Sequence, residues 1–118
     1  MRVHRIIMAG LLALAPWDAA MAAPSAERGK EVFHRVGCYE CHNYQGQGGV
    51  GPRLAPNPMP FDGLKNYVRN ANGNMPPYRA NVLSDDEVVD IYAYLQSIPK
   101  APLPDSIPAV KSLKSDQR

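Results

Sequence analysis

The chain has 118 residues, with 13 Lys and Arg against 11 Asp and Glu and a formal net charge of +2 when histidine is neutral. That length accommodates one domain, and so even a charge offers no basic face of the kind nucleic acid requires. With only two cysteines, the chain cannot be a disulfide-stapled miniprotein.

Residues 1–22 read as an export signal. Arg2 and Arg5 form a positive start, Ile6 to Ala15 an apolar run, and Ala20-Met21-Ala22 a small-residue cleavage site. Pro16 and Asp18 interrupt the run well short of the roughly 20 apolar residues that a membrane span needs. A cleaved signal peptide and a periplasmic location are therefore expected, without stable membrane insertion of the mature chain. Cleavage after Ala22 leaves 96 residues, Ala23 to Arg118, and lowers the net charge to +1 by removing Arg2, Arg5 and Asp18. These residues divide into a domain over 23–98 and a proline-rich tail over 99–118.

The first helix is predicted over Ser25 to Val36. Ser25 is its cap, Glu27 and Arg28 fill the opening turn, and Val32 and Val36 stand at i, i+4 beside Phe33. It leads into Cys38-Tyr39-Glu40-Cys41-His42. The C-x-x-C-H spacing is the attachment signature of a c-type haem. Each thiol adds across one vinyl group to make a thioether, and the histidine that follows sets a ring nitrogen beneath the iron. One covalently held haem c thus accounts for both cysteines, Cys38 and Cys41, with His42 as an axial ligand. His34 falls in the preceding helix and reads as a solvated or weakly hydrogen-bonded position.

An axial imidazole needs a hydrogen bond at its other nitrogen to fix tautomer and orientation. A backbone carbonyl within Gly51-Pro52-Arg53-Leu54 is the expected acceptor. From Gly46 to Pro60 the chain carries four glycines and four prolines, which forbids a long regular element and predicts a wrapping loop. A short amphipathic helix follows over Asp62 to Asn72, with Leu64, Tyr67 and Val68 on one face, and Asn72-Gly73-Asn74 ends it.

The last predicted helix is the clearest. Ser84 and Glu87 form an S-x-x-E capping box, and Val88, Ile91, Tyr92, Leu95 and Ile98 supply its apolar stripe before Pro99 stops it. Asp85, Asp86, Glu87 and Asp90 read as acids suited to a helix N-terminus. Lys100 to Arg118, with Pro102, Pro104 and Pro108, is too polar and proline-rich to fold alone. It is expected to run extended, touching the body through Leu103, Ile107 and Val110.

A thioether is a soft partner for haem iron, and His/Met ligation raises the reduction potential. Signal removal leaves Met59 and Met75, each followed by a proline that biases it to extended backbone. Met59 follows His42 through glycine-rich loop alone, whereas Met75 follows a complete helix that can carry the chain round to the opposite haem face. Separation favours Met75 as the second ligand and leaves Met59 as a filler of core gaps. Without so large an apolar body as the porphyrin, a chain this short is expected to be largely unfolded.

Gly29 and Phe33, the C-x-x-C-H motif, Gly51-Pro52-Arg53-Leu54, Met75-Pro76 and Asp90-Ile91-Tyr92-Ala93-Tyr94-Leu95 follow in an order that resembles the small monohaem class I c-type cytochromes, over about Ser25 to Ile98. The resemblance implies an all-α, cytochrome c-like fold of three to four short helices and loops around one haem. It also implies first and last helices that cross near Gly29, with Phe33 against Tyr94, and His42 and Met75 as axial ligands. The Pro52 carbonyl would accept from His42. Members of the family often bond a haem propionate through tryptophan, but Trp17 lies in the signal, which leaves Arg53, Tyr67 or Tyr78 for that role. An Ile-Pro-rich C-terminus resembles cytochrome components that work beside periplasmic dehydrogenases.

Electron transfer is the expected function, with a dehydrogenase, a membrane oxidase or other cytochromes as redox partners, and no bond-making chemistry by the chain itself. Its contacts would be weak and transient for a shuttle, or permanent for a subunit held in an oxidoreductase complex. A thiol–disulfide oxidoreductase with Cys38 as attacking thiolate is the competing reading, but it lacks a βαβ context. An open sixth position would make a gas binder or haem enzyme. Zinc would need a fourth ligand beyond Cys38, Cys41 and His42.

Overall fold

The computed structural model describes residues 22–116. Apart from Ala22, the expected export signal lies outside the described residues. Those residues form five α-helices, α1 (Ala26–Arg35), α2 (Cys38–His42), α3 (Phe61–Asn70), α4 (Asp85–Ser97) and α5 (Pro108–Asp116), with a 3₁₀ turn at Pro104–Ser106. No strand occurs among them, and the fold is the all-α, cytochrome c-like one. No helix among the described residues is long and apolar enough to cross a membrane.

Caps set both major helices. The Ser25 side chain accepts from the Arg28 amide at 3.2 Å, and Ser84 and Glu87 close a reciprocal capping box with bonds of 3.2 and 2.8 Å. The acids Asp85, Asp86 and Glu87 occupy the first turn of α4, where the helix dipole favours them.

The domain closes where α1 meets α4. Gly29 is buried, and a Cβ built on it would lie 1.9 Å from the Asp90 carbonyl oxygen, so only glycine lets the two backbones approach this closely. Phe33 is fully buried and meets Tyr94 edge-on at 5.7 Å. Around this contact sit Val32, Leu64, Leu83, Val88, Ile91 and Leu95.

One carboxylate ties the start of the domain to its end. Asp90 is 7% exposed and accepts from the Ser25 amide at 2.7 Å and from Arg28 at 2.8 and 3.0 Å. These donors offset the cost of burying the charge. The Arg28 guanidinium, helped by the Ser25 amide, holds the Asp90 carboxyl below its ordinary value despite burial.

Helix α3 ends at Asn70, earlier than the sequence pattern suggests, because Ala71 turns extended with φ −55° and ψ 145°. Lys65 and Arg69 of α3 reach Asp85 of α4 at 2.8 and 2.7 Å, and Phe61 meets Tyr92 edge-on at 5.4 Å.

The tail departs from the extended course expected of it. Pro108 opens α5, a position proline tolerates because the first helical amide needs no partner. The residues beyond it contain no further Pro or Gly. Among the described residues, the element that α5 packs against is the 3₁₀ turn. Leu103, expected to touch the body, is 75% exposed.

Candidate functional site

Gly37 separates the cysteine motif from α1. Its φ of 83° lies in the left-handed region that glycine enters freely, so Cys38–His42 starts a helix of its own. The i, i+3 spacing sets Cys38 and Cys41 on one side of that helix. Both are free thiols, Cys38 half-buried and Cys41 exposed.

His42 is 6% exposed, and its Nδ1 stands 2.7 Å from the Pro52 carbonyl oxygen. A carbonyl can only accept, so Nδ1 carries the proton and Nε2 keeps its lone pair. That is the tautomer in which imidazole can bind a metal through Nε2.

The glycine-rich loop is folded tightly over this ring. Gly51 donates to the Cys41 carbonyl at 2.8 Å and Gly48 to that of His42 at 3.1 Å, while Leu54 and Ala55 both donate to the Gly46 carbonyl, at 2.7 and 2.9 Å. Asn43 Nδ2 adds a bond to the Gly48 carbonyl at 2.6 Å. A Cβ on Gly51 would sit 2.8 Å from His42 Cε1, so a side chain there would push the ring from its acceptor.

Met75 is half-buried in the connection between α3 and α4, whereas Met59 is exposed. Met59 rests over Gly63, where a Cβ would lie 3.5 Å from its sulfur. It is therefore not the core filler that the sequence suggests. Of the three residues considered for a propionate, Tyr78 already spends its hydroxyl proton on the Val36 carbonyl at 2.9 Å. Tyr67 and Arg53 are exposed, and Arg53 lines an open cavity of about 480 Å³ with Leu54, Pro56, Asn57, Lys100 and Ala101.

His34, read from sequence as a solvated or weakly hydrogen-bonded helix position, is half-buried. Its ring lies 5.4 Å from that of Tyr39 and 5.5 Å from that of Tyr44. Its Nε2 is 3.2 Å from the Tyr44 carbonyl, which also accepts from the Tyr94 hydroxyl at 2.8 Å.

The site chemistry separates the competing readings. Burial pushes the Cys38 thiol up to about 11, the opposite of the lowered value an attacking thiolate needs. Among the described residues no three His, Cys, Asp or Glu side chains are grouped to hold a metal ion, so Cys38, Cys41 and His42 do not converge as zinc ligands would. The donor set fits haem c instead: two unpaired thiols one helical turn apart, and an adjacent buried imidazole whose Nδ1 is engaged.

A helical domain built on this motif is a small c-type cytochrome, with haem c as its covalently held cofactor and electron transfer as its function. The chain belongs to the family described as "Cytochrome C oxidase, cbb3-type, subunit III", whose model matches residues 24–95. The cytochrome c subunit of 4-cresol dehydrogenase (hydroxylating) from Pseudomonas putida is 30% identical over 103 residues, covering 82% of this chain and 87% of that protein. The cytochrome bc1 complex cytochrome c subunit of Corynebacterium diphtheriae is 37% identical over 79 residues, 64% of this chain and 28% of its own length. Its counterpart in Corynebacterium efficiens is 33% identical over 92 residues, 75% of this chain and 31% of its own length. The chain thus spans less than a third of the two bc1 relatives. No solved structure matches.

Proposed function

We propose that this cytochrome is exported and processed after Ala22, that haem is bonded through Cys38 and Cys41 with His42 and Met75 as its axial ligands, and that it accepts electrons from a dehydrogenase. The observation that carries the site reading is the 2.7 Å bond from His42 Nδ1 to the Pro52 carbonyl, which leaves Nε2 for the iron. When bound, haem supplies a one-electron ferrous/ferric couple. His42 and Met75 would be the residues that hold its iron, and with both engaged the metal would be closed to substrates. The Pro52 carbonyl holds the Nδ1 proton and so makes Nε2 a stronger donor. Gly51 keeps that carbonyl within reach.

The choice of partner rests on the relatives. The match to the cytochrome subunit of a dehydrogenase covers most of both chains, whereas the bc1 subunits share only part of their length.

Intact-mass analysis of protein made in an export-competent host tests attachment and cleavage together. The expected mass is that of residues 23–118 plus one haem. For the axial ligand, Met75→Ala removes the long-wavelength sulfur-to-iron band of the ferric protein and opens the ferrous protein to carbon monoxide, while Met59→Ala does neither. For the partner, the native protein co-purifies with a dehydrogenase whose substrate reduces the haem. A band that survives Met75→Ala refutes the ligand assignment, and isolation with a bc1 complex alone refutes the partner.

A further inference from the structure

Met75 sits in a connection with few tethers of its own. Just before it, Gly73 adopts φ 73° with nothing within 4 Å of where a Cβ would be. Just after it come Pro76 and Pro77, whose fixed φ makes a stiff two-residue strut. Whatever holds the far end of that strut therefore governs where Met75 can go.

The far end is Tyr78, held by three hydrogen bonds from two separate parts of the chain. Its amide donates to the Val68 carbonyl of α3 at 2.9 Å. Its own carbonyl accepts from Arg69 Nη1 at 2.9 Å. Its hydroxyl donates to the Val36 carbonyl at 2.9 Å, two residues ahead of Cys38. Arg69 then extends the tether, since its other terminal nitrogen meets Asp85 at 2.7 Å, and Lys65 reaches the same carboxylate at 2.8 Å.

We propose that Tyr78 and Arg69 are positioning residues for the Met75 side of the haem, a clamp that sets how readily the sulfur leaves the iron. The proposal rests on Met75 being the second axial ligand. Tyr78 ties the ligand-bearing connection directly to the segment that carries the thioether cysteines. Arg69 ties it to the rigid junction of α3 and α4. One hydroxyl and one guanidinium thereby fix the distance between the two halves of the site. Neither residue touches the reacting metal.

The readout is ligand exchange on the ferric holoprotein. Cyanide enters the sixth position only after the native ligand has swung away, so its binding rate reports opening of the connection. Tyr78→Phe removes a single O–H and is expected to speed cyanide binding about fivefold, the factor for one ordinary net hydrogen bond. Arg69→Gln is expected to exceed that, and Asp85→Asn, which spares the bond from Arg69 to the Tyr78 carbonyl, to fall below it. Arg69→Lys serves as the conservative partner should the glutamine variant fold poorly, and the thermal midpoint of each variant separates clamping from general destabilisation. Wild-type cyanide rates in Tyr78→Phe and in both Arg69 variants overturn the clamp. A sulfur-to-iron band unchanged by Met75→Ala overturns the ligand reading and the clamp with it, whereas a band lost in Met75→Ala with unaltered rates in the clamp variants overturns the clamp alone.

Discussion

Gly29→Ala is a one-carbon change aimed at the closest approach in the domain. The added Cβ would lie 1.9 Å from the Asp90 carbonyl oxygen, 2.4 Å from its carbon and 2.9 Å from the Ile91 nitrogen, where ordinary contact begins at 3.4 Å. All three neighbours are backbone atoms in the middle of α4, so no side chain can rotate away. The helices must part by an ångström or more. That movement loosens the Phe33–Tyr94 contact and lengthens the bonds from Ser25 and Arg28 to Asp90. Overpacking costs about 1–3 kcal/mol where side chains can adjust, and alanine returns up to ~1 kcal/mol of helix propensity over glycine. With rigid backbone on both sides the net loss is expected to be about 3 kcal/mol. Urea unfolding of the holoprotein followed by circular dichroism measures it. Taking ~1.5 kcal/mol per molar for the denaturant slope, the midpoint should fall by about 2 M. A midpoint within about 0.3 M of wild type would show that α1 and α4 do not meet through Gly29.

Removing the buried tyrosine hydroxyl in Tyr94→Phe deletes its 2.8 Å bond to the Tyr44 carbonyl and should cost about 1 kcal/mol in the same unfolding assay. Asp90 has a folded-state carboxyl below its unfolded value of about 3.9, chiefly through Arg28. Its stabilisation is therefore complete above about pH 4 and is lost as pH falls through the folded value. In urea titrations across that range, the stability gap between wild type and Asp90→Asn should narrow on the acid side and stay level near neutrality. Ending the chain after Lys100 removes α5, which among the described residues packs against none of the other four α-helices, so the haem spectrum should be unchanged and the thermal midpoint should move by less than about 2 °C.

The legible parts of this fold were those written in local side chains. Ser25, Ser84 and Glu87 announce two helix starts because a cap is a short-range hydrogen bond between named residue types, and all three capping bonds form. The glycine and proline density from Gly46 to Pro60 likewise forces a loop. Bonds between distant main-chain atoms leave no such mark. The tether from Tyr78 to Val36 spans 42 positions and depends on a carbonyl that any residue supplies. The same holds for the Tyr44 carbonyl, which collects donors from His34 and Tyr94. Helix α5 was hidden for another reason: three prolines in Lys100 to Pro108 dominate the composition of the tail and obscure the proline-free run behind them. Met59 was misjudged because a methionine between prolines carries no sign of which way its side chain turns.

The meeting of α1 with α4 also dictates when this protein can fold. Asp90, which both Ser25 and Arg28 bond, lies 65 and 62 positions later in the chain. A nascent polypeptide that has passed the cysteine motif still lacks the surface on which its first helix comes to rest. Closing a loop of that length is slow relative to local helix formation. The finished architecture therefore closes only after the final long helix has been synthesised.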